Sequence, residues 1–309
     1  MYSMEDIFNC SFGEKEQLKT LLVDNLRKFP MEIEEMGGNL VVKKAGKGPC
    51  IMMVCSVDET GCLVTQTKEN HGEVMFLGKA KPSAWLGTKM KTENGCYGIL
   101  RSRKKEEKEL KEEDLFLDFG IPCKENGIAA NTFVHLCDDS ILQKEIVFGN
   151  GASSKSALIV LLEVLKESAE TDKNIIFVFL KNSQLGTFAS EWIAAAYQPE
   201  YLISVSGYSA DERFHVGKGT GILLKDGNAV VGEQMRRIMI NEAENENIPY
   251  QIYIGKKDMQ NEKMSVAGSG TRLGGICIPV EGLGEPIEKV SRTDIEKSIN
   301  LLLKVLLAL

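Results

Sequence analysis

Cys55-Ser56-Val57-Asp58-Glu59 stands directly after the apolar run Ile51-Met52-Met53-Val54 and just before Gly61. Adjacent carboxylates at the end of a buried strand are material for metal coordination or general acid–base work. In open α/β sheets the carboxyl edge of the strands is where such chemistry is placed. A catalytic metal at this point asks for an imidazole beside the aspartate; the chain offers Ser56.

A second cluster, Gly149-Asn150-Gly151-Ala152-Ser153-Ser154-Lys155-Ser156, follows the strand-like Glu145-Ile146-Val147-Phe148 and opens a helix. It departs from the phosphate loop G-x-x-x-x-G-K-[ST] at Ser154, which replaces the glycine that lets backbone amides approach a phosphate. Strands that would end in a magnesium-binding aspartate run instead into Lys181-Asn182-Ser183-Gln184 and Ser206-Gly207. A nucleotide site is therefore not expected, although a helix N-terminus with Ser153, Ser154 and Lys155 could hold a small anion. The three histidines, His71, His135 and His215, lie away from predicted core-strand ends and read as surface or structural. No G-x-S-x-G elbow occurs, and Ser153 and Lys155, two apart on a helix, face in different directions.

These residues must be carried by a soluble α/β framework. The chain has 309 residues, 43% hydrophobic and 26% charged, with a formal net charge of −7; nothing in that balance favours nucleic acid. Its start, Met1-Tyr2-Ser3-Met4-Glu5-Asp6, lacks the basic and apolar regions of a signal peptide. No apolar run reaches the ~20 residues of a membrane span. Eight scattered cysteines without a C-x-x-C pair fit reduced, mostly buried thiols and a cytoplasmic location.

Leu18, Leu21, Leu22, Leu26 and Phe29 give a first helix over 14–29, with Ser11 and Glu14 as a capping box. Residues 39–42 and 51–55 read as strands. From 63 to 146 short β-like runs alternate with turns, as in a small barrel or sandwich inserted into an α/β domain. The mixed charges from Arg101 to Asp114 read as a solvated helix or mobile loop. The α/β alternation then returns: helices over 153–166, 186–197 and 230–246, strands over 174–180, 201–205, 250–254 and 275–280. A last helix is capped by Ser291 and Asp294 and ends in the apolar Leu301 to Leu309.

Further segments fall in a telling order: Gly38-Asn39-Leu40-Val41, Asp58-Glu59-Thr60-Gly61, Phe116-Leu117-Asp118-Phe119-Gly120, Gly217-Lys218-Gly219 with Asp226, Ile248-Pro249-Tyr250-Gln251, Ile278-Pro279 and Pro286-x-Glu288-x-Val290. Nearly the whole chain resembles the metallo-aminopeptidase family of glutamyl aminopeptidase, the tetrahedral (TET) aminopeptidases and the proteins known as cellulase M. The resemblance implies a phosphorylase/hydrolase-like (zinc-peptidase-like) three-layer α/β domain with a central mixed sheet and an inserted small β-barrel. Residues 1–62 and 147–309 would form the discontinuous α/β domain and 63–146 the insert. It also implies assembly into dimers or larger shells.

The same resemblance implies where catalysis should sit, and there the residue types change. The first ligand histidine falls on Ser56, the bridging aspartate on Ser153, the Glu-Glu pair of general base and ligand on Ser183-Gln184, the next aspartate on Ser206 and the final histidine on Gly284. Asp58 and Glu59 are kept. The family would use two divalent ions such as zinc or cobalt; neutral serine and glutamine oxygens do not offset the dehydration and mutual repulsion of such a pair. The expectation is a catalytically degenerate homologue without a cofactor. Its neutral polar pocket would comprise Ser56, Asp58, Ser153, Lys155, Ser183, Gln184, Ser206 and Gly284. It would serve as a binding protein for a small polar or anionic ligand, or as a subunit of a homo-oligomer or of a hetero-oligomer with an active relative. Two other readings stand beside it: an active metallo-aminopeptidase with noncanonical ligands such as Asp58, Glu59, Cys55 and Asp258, and a metal-free hydrolase using Ser153 or Ser183.

Overall fold

A computed structural model describes residues 3–10, 20, 22–24, 26–78, 80–104, 110–137, 140–181, 189–255 and 270–309. Among these, a nine-stranded mixed sheet forms the body. At one edge β1 (Glu32–Met36) and β2 (Asn39–Lys44) make a hairpin. The centre holds β3 (Lys47–Ser56), β12 (Lys173–Leu180), β13 (Tyr201–Ser209) and β17 (Arg272–Val280). β3 runs parallel to both β12 and β13, and β13 parallel to β17. These strands are apolar on both faces because both are covered. At the far edge β14 (Thr220–Asp226) carries β15 (Ala229–Val230) and β16 (Tyr250–Ile254).

One face packs against α1 (Met4–Asn9), α2 (Ala152–Ser168), α4 (Glu233–Asn245) and α5 (Arg292–Ala308), joined in one core by Phe8, Leu158, Leu161, Met239, Leu302 and Val305. The other face meets α3 (Ala189–Tyr197), whose Ile193 and Ala194 lie against Met52, Val54 and Val178. A six-stranded closed barrel follows β3 in the chain: β4 (Gly61–Lys68), β5 (His71–Leu77), β8 (Leu115–Asp118), β7 (Tyr97–Ser102), β6 (Lys89–Thr92) and β9 (Phe133–Leu136). Trp85, Leu100 and Leu117 are fully buried in its core. The strand-rich insert read from the sequence is this barrel. Its strands end at Leu136, however, and β10 (Ile141–Gln143) and β11 (Ile146–Gly149) pair with β18 (Glu288–Ser291) in a separate sheet.

Several local expectations change. Arg101 and Ser102 belong to β7, and Arg103 bonds Glu73 at 2.6 Å while lying over Phe116, so the charged run is partly strand and ion pair. Residues 14–19, 21 and 25 of the first predicted helix, with Ser11, lie outside the described residues; positions 20, 22–24 and 26 are helical. α4 begins at Glu233, because residues 229–230 pair with β14. β1, β14 and β18 had no clear signature: Glu-Ile-Glu-Glu-Met is an acidic edge strand, and β18 is four residues long.

The capping box expected of Ser291 and Asp294 does not form. Asp294 instead accepts the amides of Gly217 (2.6 Å) and Gly219 (2.8 Å), two glycines at φ +82° and +105°. Burial pushes its carboxyl up to about 6, against the opposing pull of those amides. A carboxyl raised in the folded state stabilises fully below its unfolded value near ~4 and loses that contribution as pH climbs through the folded value. Relative to an Asp294→Asn variant, wild-type stability should therefore fall by roughly 2–3 kcal/mol between pH 4 and pH 7. Denaturant melts of both proteins at the two pH values check this; parallel pH profiles would contradict it.

Candidate functional site

The sheet brings Ser56 and Ser206 to one edge. Ser56 ends β3 opposite Leu180 of β12, and the Val57 amide donates to the Leu180 carbonyl at 2.8 Å. On the other side Val205 of β13 pairs with Cys55, which puts Ser206 next along the same edge. Ser56, Ser206 and Asp58 are partly exposed there, and Glu59 is buried. Ser183, Gln184 and Asp258 lie outside the described residues.

The amino end of α2 closes over this edge through two glycines. Gly151 caps the helix at φ +59°, and a Cβ there would stand 3.0 Å from the Glu59 Cβ. Gly207 gives Ser153 its seat, since a Cβ at 207 would collide with the Ser153 Cβ. The structure thus brings Ser153 against β13 beside Ser206.

Glu288 is the residue that sequence reasoning passed over. The register Gly149↔Glu288 between β11 and β18 sets it beside the turn that leads into α2. Its Oε2 accepts the Ser153 amide at 2.8 Å and its Oε1 the Gly284 amide at 3.2 Å. Burial raises this carboxyl; the Ser153 amide and hydroxyl, the Gly284 amide and the charge of Lys155 pull it down. The helix N-terminus that could have held an external anion thus receives a carboxylate of the chain itself. The sequence signal was only Glu288's place in Pro286-x-Glu288-x-Val290.

Gly284 is fixed on its other side too. Its carbonyl accepts the Trp85 indole Nε1 at 3.0 Å and the Lys81 amide at 3.3 Å, both from the barrel-side segment, while Lys81 Nζ meets Glu285 at 2.6 Å. Its φ of +81° lies in the left-handed region that favours glycine.

Lys155 does not face the pocket as a free cation. Buried at 4% exposure, its Nζ donates to the Phe8 carbonyl at 3.0 Å, which also accepts from Ser140 Oγ at 2.7 Å. It anchors α1 at that helix's carbonyl-rich end, a favourable place for a cation. Ser153 bonds Glu288 through its backbone amide, while the Lys155 ammonium, bonded to the Phe8 carbonyl, acts on the same carboxylate by its charge. Burial, and then the charge of Asp58, push the Cys55 thiol up.

Set against known proteins, residues 38–301 match the model of the family described as M42 glutamyl aminopeptidase. A protein of Acetivibrio thermocellus, named as an inferred aminopeptidase, is 26% identical over 315 residues, covering 95% of this chain and 94% of its own. Among solved structures, an aminopeptidase from the archaeon Desulfurococcus kamchatkensis superposes with a TM-score of 0.89 at 16% identity, over 98% of this chain and 93% of that one. The TET1 peptidase of Pyrococcus horikoshii, described as assembling into a tetrahedron or a large octahedral shell, gives 0.87 at 19%, over 98% and 99%. The three-layer fold with its inserted barrel is that of these peptidases.

The matched family is metal-dependent, which corrects the expectation that no cofactor belongs here. Among the described residues, those at the positions that the resemblance gives to metal ligands do not fit a pair of divalent ions. Ser56, Ser153 and Ser206 supply neutral hydroxyls, and Gly284 supplies no side chain. Glu288, the carboxylate beside Ser153 and Gly284, accepts two backbone amides. Among the described residues no three His, Cys, Asp or Glu side chains are grouped to hold a metal, and a dinuclear hydrolytic site needs several such ligands.

Proposed function

Because the chain belongs to the M42 glutamyl aminopeptidase family, we propose that it is a catalytically degenerate member, a binding or partner subunit whose pocket takes a small polar ligand instead of hydrolysing peptides. The observation that carries this reading is the Ser153–Glu288–Gly284 tie. Two positions that the resemblance gives to metal ligands are held by backbone hydrogen bonds to one internal carboxylate, one of them in a glycine conformation. The hydroxyls of Ser56 and Ser206 at the edge, beside the carboxylates of Asp58 and Glu59, suit hydrogen bonding to a polar ligand.

In the same proposal the protein is cytoplasmic; among the described residues no helix is long and apolar enough to cross a membrane. It forms a homo-oligomer, as its structural neighbours do, or a mixed assembly with an active relative. Residues 1–62 and 147–309 act as the body and 63–146 as the insert. The alternative is an active aminopeptidase with noncanonical ligands such as Asp58, Glu59, Cys55 and Asp258. Release of amino acids from aminoacyl amides with zinc, cobalt or manganese supplied separates the two readings. No release is expected; release that a chelator abolishes overturns the proposal.

A further inference from the structure

Gly284 is held from two sides by two parts of the molecule. Its carbonyl accepts the Trp85 indole Nε1 and the Lys81 amide, both from the segment between β5 and β6 of the barrel. Its amide donates to Glu288, whose other oxygen accepts the Ser153 amide of the body. The loop that carries Gly284 is closed at its base, where Glu281 and Lys289 exchange both backbone hydrogen bonds at 3.0 and 2.9 Å. Within that closed loop the adjustable joint is the glycine. Without a Cβ, its conformation is set by the partners of its amide and carbonyl more than by sterics.

Trp85 couples that joint to the barrel. Its ring is fully buried in the barrel core, edge-on to Phe76 at a centroid distance of 5.4 Å. An indole has one polar atom, a donor, and here the donor reaches out of the barrel core to a carbonyl of the body. A shift of the barrel takes the acceptor from a buried indole N–H and, in the same movement, frees the Gly284 carbonyl. Both losses are costly, because a buried polar group is left unpaired.

We propose that Trp85 is a positioning residue for the candidate site. Docking of the barrel through Trp85 and Lys81 fixes Gly284 and, through Glu288, the amino end of α2, so that the barrel regulates the pocket. The link is reciprocal, as a coupling between two sites must be. What displaces the barrel loosens Ser153, and what engages Ser153 is felt at Trp85. The proposal rests on the reading of this edge as the pocket. The coupling is measured without ligand or substrate, so it can fail while that reading stands, and turnover decides that reading separately.

Hydrogen exchange tests both directions. Trp85→Phe keeps an aromatic ring against Phe76 and removes only the N–H donor; circular dichroism confirms that it folds. By mass spectrometry, exchange in the peptide holding Ser153 should rise about fivefold, the worth of one hydrogen bond, while the central-strand peptide 175–179 keeps its wild-type rate. A residue that merely fills the barrel would speed barrel peptides and leave Ser153 alone. Exchange at Ser153 that is unchanged, or that rises no more than that of the central strand, overturns the proposal. The reverse arm leaves Trp85 intact. The chain has two tryptophans, and Trp192 of α3, 51% exposed, serves as the internal control. In Glu288→Gln the Trp85 indole proton, followed by NMR, should exchange faster by a similar factor while that of Trp192 stays as in wild type. An unchanged Trp85 indole overturns the coupling.

Discussion

Glu288→Ala is expected to lower the free energy of unfolding by roughly 2–4 kcal/mol, because each buried donor left without a partner costs about 1–3 kcal/mol. Two such donors, the amides of Ser153 and Gly284, share this carboxylate. The site lies at the junction of α2, β18 and the segment that docks the barrel, so little water can enter to replace the lost oxygens. Lys155 also loses the negative charge it partly compensates. Glu288→Gln keeps one accepting oxygen and should lose less. Equilibrium denaturation of the three proteins provides the check; an alanine variant as stable as wild type would mean that the tie carries no weight.

Gly284→His, which restores the residue type that the family resemblance assigns to this position, is expected to destabilise by roughly 1–3 kcal/mol and to confer no peptidase activity. The backbone at 284 sits at φ +81°, where a residue with a Cβ pays about 1–2 kcal/mol or more. The surrounding bonds hold it there: the amide is drawn to Glu288 and the carbonyl to Trp85 and Lys81. At the sheet edge Ser56 and Ser206 would still offer only hydroxyls. Thermal melts and hydrolysis assays with added metal test the variant. Stability equal to wild type, or any metal-dependent turnover, would count against this account of the position.

Much of the architecture was legible from residue types. Ile51 to Val54 and Ile175 to Phe179 are continuous apolar runs, the signature of strands covered on both faces, and both are central strands. α2 was visible in the spacing of Leu158, Leu161 and Leu165. The acidic β1 was not, because an edge strand needs few apolar residues and its glutamates mask the period. At the candidate site, the sequence pointed to Ser56, Ser153, Ser206 and Gly284, and strand order puts Ser56 and Ser206 on neighbouring strands of one sheet edge. What escaped was the role of long-range partners. Lys155 reads as a phosphate-loop lysine until α1 is seen against it, and Asp294 reads as a cap until the glycine turn at 217–219 arrives 75 residues away in sequence. Such pairings depend on tertiary contacts that no local pattern encodes. Glu288 is the sharpest case, an ordinary-looking strand residue whose importance comes from the register of β11 with β18.

The measurement that bears most directly on the central claim is aminopeptidase turnover by the purified wild-type chain across a panel of aminoacyl amides, with zinc, cobalt or manganese in excess. The serine and glycine positions at the sheet edge predict release no faster than the uncatalysed background with every metal. Saturable release that depends on an added metal and stops with a chelator would contradict it.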